Sequence, residues 1–268
     1  MVHLMKYVGI MRTAFIDMKA YIGEFSALLI WGPAHFILLF FIWTIIYKSP
    51  QAGSDFGYSL PAILGYSLIV TFIAESLFSY KFAWRLQDDN LNGTLTIFLC
   101  RPVNYLAFVF AETVPLSLIS FGLSFPVIIL LIVIMNLPIK LNVFVLLGFI
   151  ISLIISYIIS YFCFILVGMS TFYIRYIWPV RATFMAFMQI FGGELLPIDL
   201  LPPGFRGIAR ILPFSLINFI PAQWLLGRLT QLELLINLIY GVFWIMILAI
   251  ITNFLWKKAV TKFESVGG

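Results

Sequence analysis

Charge is what this sequence has least of. Asp, Glu, Lys and Arg make up 10% of its 268 residues against 63% hydrophobic ones, and mean hydropathy is +1.09. A soluble domain carries roughly 25% charged residues. A water-facing surface cannot be assembled from this inventory, so the solvent must be lipid. Cysteine is almost missing: Cys100 and Cys163 are the only two, which excludes a disulfide framework, and neither stands in a metal-type spacing. They read as small apolar fillers near the reducing, cytosolic side. Histidine is limited to His3 and His35. That is too few for a metal set or a histidine-based catalytic motif, and His35 reads as a packed, hydrogen-bonded side chain. No Gly-x-x-x-x-Gly-Lys-Ser/Thr phosphate loop occurs, and no signal peptide with a small-residue cleavage site is visible. The formal charge of +5 comes from basic residues scattered singly between apolar runs. Without a basic stripe, nucleic acid is not an expected partner.

What is present is apolar sequence in lengths that match a bilayer. A helix needs about 20 apolar residues to cross the hydrocarbon core, and backbone inside lipid must satisfy its own amides. Six runs qualify as expected spans: 25–47, 60–80, one within 105–137, one within 141–173, one starting near Ala182, and 232–256. The third and fourth exceed one crossing. Residues 141–174 contain no charge to make a hairpin turn, so each is predicted as one long tilted or kinked helix, with Pro115 and Pro126 as kink points in the third.

Lysine and arginine set the orientation. With six spans, Lys48, Lys140, Arg206, Arg210 and Arg228 fall on one side, and the other eleven of the 16 basic residues on the opposite side. The expectation is a multi-pass protein with both termini in the cytosol. Ahead of the first span, residues 1–24 place Leu4, Val8, Met11, Phe15, Met18 and Ile22 at alternating four- and three-residue steps, with Lys6, Arg12, Asp17 and Lys19 off the stripe. That pattern predicts an amphipathic helix lying in the membrane interface.

Residues 192–229 are the least ordinary part. The apolar run from Ala182 lasts only ten residues before Gly192 and Gly193, and Glu194, Pro197, Asp199, Pro202, Pro203 and Gly204 follow. Non-helical backbone at membrane depth persists only when buried in protein or lining a wet cavity. A broken fifth helix is therefore expected, followed by short helices that dip into the outer leaflet without crossing.

Two stretches carry a resemblance. One is the run 191–205, continuing through Leu212-Pro213, Pro221-Ala222-Gln223 and Leu226-Gly227. The other is Asn92-Gly93-Thr94-Leu95 followed by Leu99 and Arg101-Pro102. In this order and spacing within a six-span chain they resemble the permease subunits of type-2 ABC exporters, and among these a bacterial and archaeal subfamily of permeases used in pairs. The resemblance implies an all-α integral membrane fold in which residues 1–268 form one permease domain of six transmembrane helices. It implies partnership with a separate ABC ATPase and with a second permease, identical or not, in the cytoplasmic membrane of a bacterium or archaeon. It implies export, and the absence of a strongly charged cavity signature in the sequence favours a lipophilic or amphipathic substrate, with drug, lipid, peptide and glycan cargo all open. The chain itself would be no enzyme and bind no cofactor or metal, ATP and Mg being held by the partner subunit.

The resemblance makes residues 81–104 the ATPase-coupling loop. Asp88, Asp89 and Asn90 are expected to start a short helix there, continuing through Leu91, Gly93, Thr94 and Leu95. Leu91, Leu95 and Phe98 would then form one apolar face for a partner groove. It makes Gly192, Gly193, Glu194 and Pro197 a gating segment; Glu194, directly after the glycine pair, is expected either to help gate or to pair with Arg206 or Arg210 across the outer vestibule. Glu75 and Glu112 lie inside apolar runs, where a charge costs several kcal/mol unless paired or protonated. Two readings stand for them, a substrate or proton contact and an interhelical bond helped by Arg85 or Arg101; position favours the second, Glu75 being six residues before Lys81. Other functions fit less well. A membrane-embedded enzyme needs convergent ionisable groups, and an ion-coupled transporter often has broken helices in both halves, whereas here only the second half is interrupted.

Overall fold

The computed structural model of the chain describes residues 2–17, 22–49, 57–77, 79–137, 139 and 142–261, and the side chains of all of these except 2–4 and 22–29. Met18 of the expected stripe, and Lys19, Lys140 and Lys262 of the charge count, lie outside the described residues, as do the side chains of the stripe's Leu4 and Ile22. The described elements are helical throughout: α1 (Val2–Ile16), α2 (Ile22–Lys48), α3 (Leu60–Leu77), α4 (Tyr80–Leu91), α5 (Thr94–Leu99), α6 (Tyr105–Ile134), α7 (Val143–Gly168), α8 (Trp178–Phe191), α9 (Pro203–Ile211), α10 (Phe219–Leu225) and α11 (Gln231–Val260), with short 3-10 turns at Met169–Phe172, Ile198–Leu200 and Pro213–Leu216.

The long helices begin where polar side chains can hold their free amides. Asn104 accepts from the Ala107 amide at 3.1 Å and Asn142 from the Val145 amide at 2.8 Å. At α11, Thr230 and Glu233 cap each other reciprocally, Glu233 N donating to Thr230 Oγ1 at 3.2 Å and Thr230 N to Glu233 Oε2 at 2.7 Å. Lys257 and Lys258 in its last turn complement the helix dipole.

Five helical stretches among the described residues are long and apolar enough to cross a membrane: 30–48, 60–91, 105–134, 143–172 and 231–260. A sixth is reached only by joining α9 to Pro213–Leu225 as one span bent by 71°. The third and fourth long runs are each one helix, α6 continuing through Pro115 and Pro126. The fifth expected span is broken at the glycine pair as expected, though it starts at Trp178 rather than near Ala182. It is carried by α8, whose 14 residues rise about 21 Å, short of the roughly 30 Å hydrocarbon core.

Two packed groups build the bundle: α3 lies between α2 and α6, and α7 lies between α4, α10 and α11. Lipid gives helices little hydrophobic reason to associate, so small side chains and hydrogen bonds decide their contacts. Ser117 Oγ donates to Leu77 O at 2.9 Å, Ser156 Oγ to Ile217 O at 2.6 Å, and Tyr161 Oη to Leu106 O at 2.8 Å. Gly168 lets α7 approach α4 so closely that an added Cβ would stand 3.0 Å from the Ala83 Cα.

The helix α1 packs along α6, and Lys6 Nζ donates to Pro102 O at 3.0 Å. Tyr7, Ile10, Met11 and Ala14 are partly shielded, while Val8 and Phe15 of the predicted apolar stripe are exposed. Of the stripe residues whose side chains are described, Val8 and Phe15 are left for lipid while Met11 turns with Tyr7, Ile10 and Ala14 toward the bundle.

Candidate functional site

Three places bring together the candidate site residues: the end bearing α4 and α5, a cavity between α2, α3 and α8, and the loop region between α8 and α10.

At the first, α4 runs to Leu91 and breaks at Gly93, whose φ of 74° is the left-handed conformation that favours glycine; α5 starts at Thr94. This corrects the expected helix start. Asp88, Asp89 and Asn90 form the last turn of α4 rather than the first turn of a new helix. Short polar residues suit a helix start, yet they are tolerated in a last turn when other groups engage their side chains, as here. Asp89 is 4% exposed. It accepts from Thr94 Oγ1 at 3.0 Å and from Tyr105 Oη at 2.8 Å, and its Oδ2 lies 3.1 Å from Arg85 Nε. The same Nε lies 3.2 Å from Glu112 Oε2. These two Arg85 contacts are ion pairs by distance, not aligned hydrogen bonds. Glu112 thus follows the interhelical reading, with Arg85 as its partner.

The expected apolar face also points elsewhere. Leu95 is fully buried, and Leu91 and Phe98 are half-buried, with Phe98 set 5.4 Å from the Tyr105 ring and 4.5 Å from the Phe108 ring. Facing outward are Ile97 and Leu99, together with Asp88, Asn92 and Cys100. Two contacts absent from the sequence reading fix α4 to the bundle. The Ile177 amide donates to Gln87 Oε1 at 2.8 Å, and Asn90 Nδ2 donates to Thr171 O at 3.2 Å and Thr171 Oγ1 at 3.1 Å.

At the second place, a cavity of about 750 Å³ is lined by Trp31, His35, Glu75, Tyr80, Trp84, Arg181, Gln189, Glu194 and Asn218 among others. Glu75 and Glu194, far apart in sequence, meet the same space. Glu112 does not reach it. Arg181 lies with its guanidinium 5.0 Å over the Trp84 ring, and His35 is drawn into the lining rather than buried in packing. Asn218 stands at the start of α10 without capping it, 1% exposed, with both side-chain amide atoms lacking a hydrogen bond.

At the third, the glycine pair has a definite geometry. Gly193 has φ 79°, and its carbonyl accepts from Tyr66 Oη at 2.5 Å; a Cβ there would stand 2.6 Å from that same oxygen. The chain then turns through Pro197 into the 3-10 turn Ile198–Leu200. The expected partners of Glu194 are engaged otherwise. Arg210 pairs with Asp199 at 3.2 Å, Arg206 donates to Leu201 O at 3.1 Å, and Glu194 accepts from Gln189 Nε2 at 3.3 Å. Asp199 is the hub of a latch the sequence did not reveal. Its Oδ2 accepts from Tyr58 Oη at 3.0 Å and from Gln223 Nε2 at 3.2 Å; Gln223 also donates to Tyr58 Oη, and Arg228 lies 3.8 Å over the Tyr58 ring. Burial pushes the Tyr58 phenol well above its usual range, so it stays a neutral donor.

Residues 34–267 match a family model described as ABC-2 family transporter protein. No curated protein matches the chain.

Proposed function

Because the chain belongs to the ABC-2 family of transporter proteins, the match covering residues 34–267, we propose that it is one of two permease subunits of an ATP-driven exporter. It is a multi-pass membrane component, not itself the ATPase, and its family works with a separate ABC ATPase. In this reading ATP and Mg sit on that partner, both termini face the cytosol of a bacterial or archaeal inner membrane, and a lipophilic or amphipathic substrate is expelled.

One observation carries the proposal. The helix α4 lines the cavity with Tyr80 and Trp84 and, at its other end, holds the short α5 with exposed Ile97 and Leu99. A partner pressing on α5 moves α4 as a rigid rod. Through Gln87 and Ile177 the movement reaches the start of α8, which forms another wall of the same cavity. Trp31 and Leu38 of the cavity lining are exposed on α2 together with Phe41 and Ile45, an apolar flank suited to a second permease as the remaining wall. Cargo would leave past Gly192, Gly193, Glu194 and Pro197.

The test is purification of the C-terminally tagged chain from its native membrane in mild detergent. A stoichiometric ATPase with a phosphate loop is expected, and it should be lost when residues 88–95 become a Gly/Ser linker. A distinct permease in the same preparation would make the pair a heterodimer. If no ATPase accompanies the chain at any detergent mildness, the exporter reading falls and ion-coupled transport takes its place.

A further inference from the structure

We propose that the cavity between α2, α3 and α8 binds organic cations with an apolar body. The inference rests on the transport reading of this cavity and names the chemical class it would carry.

The lining holds two carboxyl groups against one permanent cation, and that cation stands away from the Glu194 end. Among the described residues Glu75 makes no hydrogen bond or ion pair, and Glu194 has only the 3.3 Å contact from Gln189. Charge at membrane depth is costly unless a counter-charge is supplied. The basic groups of the lining are His35 and Arg181. Arg181 belongs to the far end of α8, separated from the Glu194 loop by about 15 Å of helix rise. Its guanidinium is already stacked on Trp84. The Glu194 end is thus acidic without an internal partner, and a cation entering there supplies one. An anion of equal size would face two carboxyl groups.

A second observation points independently to a ligand. Asn218 is 1% exposed and sits at a helix start, where an asparagine oxygen normally caps the first amides. Here it caps nothing, and both its nitrogen and its oxygen are buried without partners while the residue lines the cavity. Leaving both groups unmade is unfavourable, and a polar atom on a bound molecule would satisfy them. The rest of the lining suits the body of such a molecule. Trp31 and Phe164 supply aromatic side chains to a cation and to apolar rings, and Met185 and Met188 adapt to shape. The volume of about 750 Å³ is that of a pocket for a drug-sized ligand.

The experiment uses two ions of the same shape and opposite charge. The full chain is reconstituted in phosphatidylcholine nanodiscs, and binding of the cationic dye rhodamine 6G is followed by fluorescence anisotropy against empty discs. Saturable binding beyond that of empty discs is expected, displaced by tetraphenylphosphonium and not by tetraphenylborate. Glu194→Gln and Glu75→Gln should each weaken it about tenfold or more, since a buried charge pair is lost, and Asn218→Leu severalfold. Equal displacement by the two ions, dye uptake fully explained by empty discs, or undiminished binding in folded Gln variants would each overturn the proposal. The competition on the unmutated chain decides even if a variant fails to fold. Binding needs no ATPase, so its failure beside a co-purifying ATPase removes the cation site and leaves the exporter standing.

Discussion

Asp88 and Asp89 are neighbours of the same type with opposite situations. Asp88 is exposed; Asp89 is buried and engaged by Thr94, Tyr105 and Arg85. Removing one acceptor strands several donors, and a hydrogen bond to a charged group contributes about 1.5–3 kcal/mol. Asp89→Ala is therefore expected to destabilise the chain by about 2–3 kcal/mol in thermal or SDS unfolding, whereas Asp88→Ala should stay within about 0.5 kcal/mol. Equal effects would remove Asp89 from its structural role. Nothing local tells the two apart: a run of Asp-Asp-Asn marks helix starts statistically, but which carboxylate turns inward depends on Tyr105 and Arg85. The same limit hid the latch. Tyr58 and Asp199 are 141 positions apart, and Gln223 and Tyr58 are 165, so no local period connects them. Asn218 left no trace either, since its significance lies in a cap it does not make.

At the scale of elements, the glycines of 192–207 separate into those that shape the chain and those that merely interrupt a helix. Gly193 combines a left-handed φ with contact to Tyr66, while Gly207 sits inside α9 with open space where a Cβ would go. Gly193→Ala should cost about 1–2 kcal/mol of backbone strain and roughly 1 kcal/mol more if the Tyr66 hydrogen bond is displaced. Gly207→Ala should be neutral or stabilising by about 0.5–1 kcal/mol through helix propensity. Unfolding midpoints of the two variants check this, and a harmless Gly193→Ala would show that the turn tolerates another geometry. The glycine pair and the shortness of the apolar run before it were readable in sequence, because a run too short to cross and a doublet with no side chains are local facts. How the following segment folds was not. The bend between α9 and the 213–225 segment comes where the 213–216 turn packs on α7 and α10 packs on α7 and α3, long-range contacts that composition does not encode.

For the whole molecule, hydropathy was sufficient to read the class, since continuous apolar runs of about 20 residues match a helical crossing rather than the shorter alternating strands of a barrel. The pairing of α3 with α6 and of α7 with α11 was not readable, because side chains facing lipid and side chains facing another helix are equally apolar here. Orientation depends on a different signal, the eleven-to-five split of basic residues, and the chain's two cysteines make it measurable. Cys100 is exposed just beyond α5, and Cys163 is buried within α7. With the permease expressed alone, a membrane-impermeant maleimide should leave Cys100 unlabelled in intact cells and label it in inverted vesicles, while Cys163 stays unreactive in both. Gly204→Cys, at an exposed site with open space around it, should show the reverse accessibility. If Cys100 labels in intact cells instead, α5 faces outward, out of reach of any cytosolic ATPase, and the route from α5 through α4 to the cavity loses its driving partner. If the accessibility is as expected, adding the ATPase should protect Cys100, because the residue lies beside Ile97 and Leu99 on the only apolar surface α5 leaves exposed.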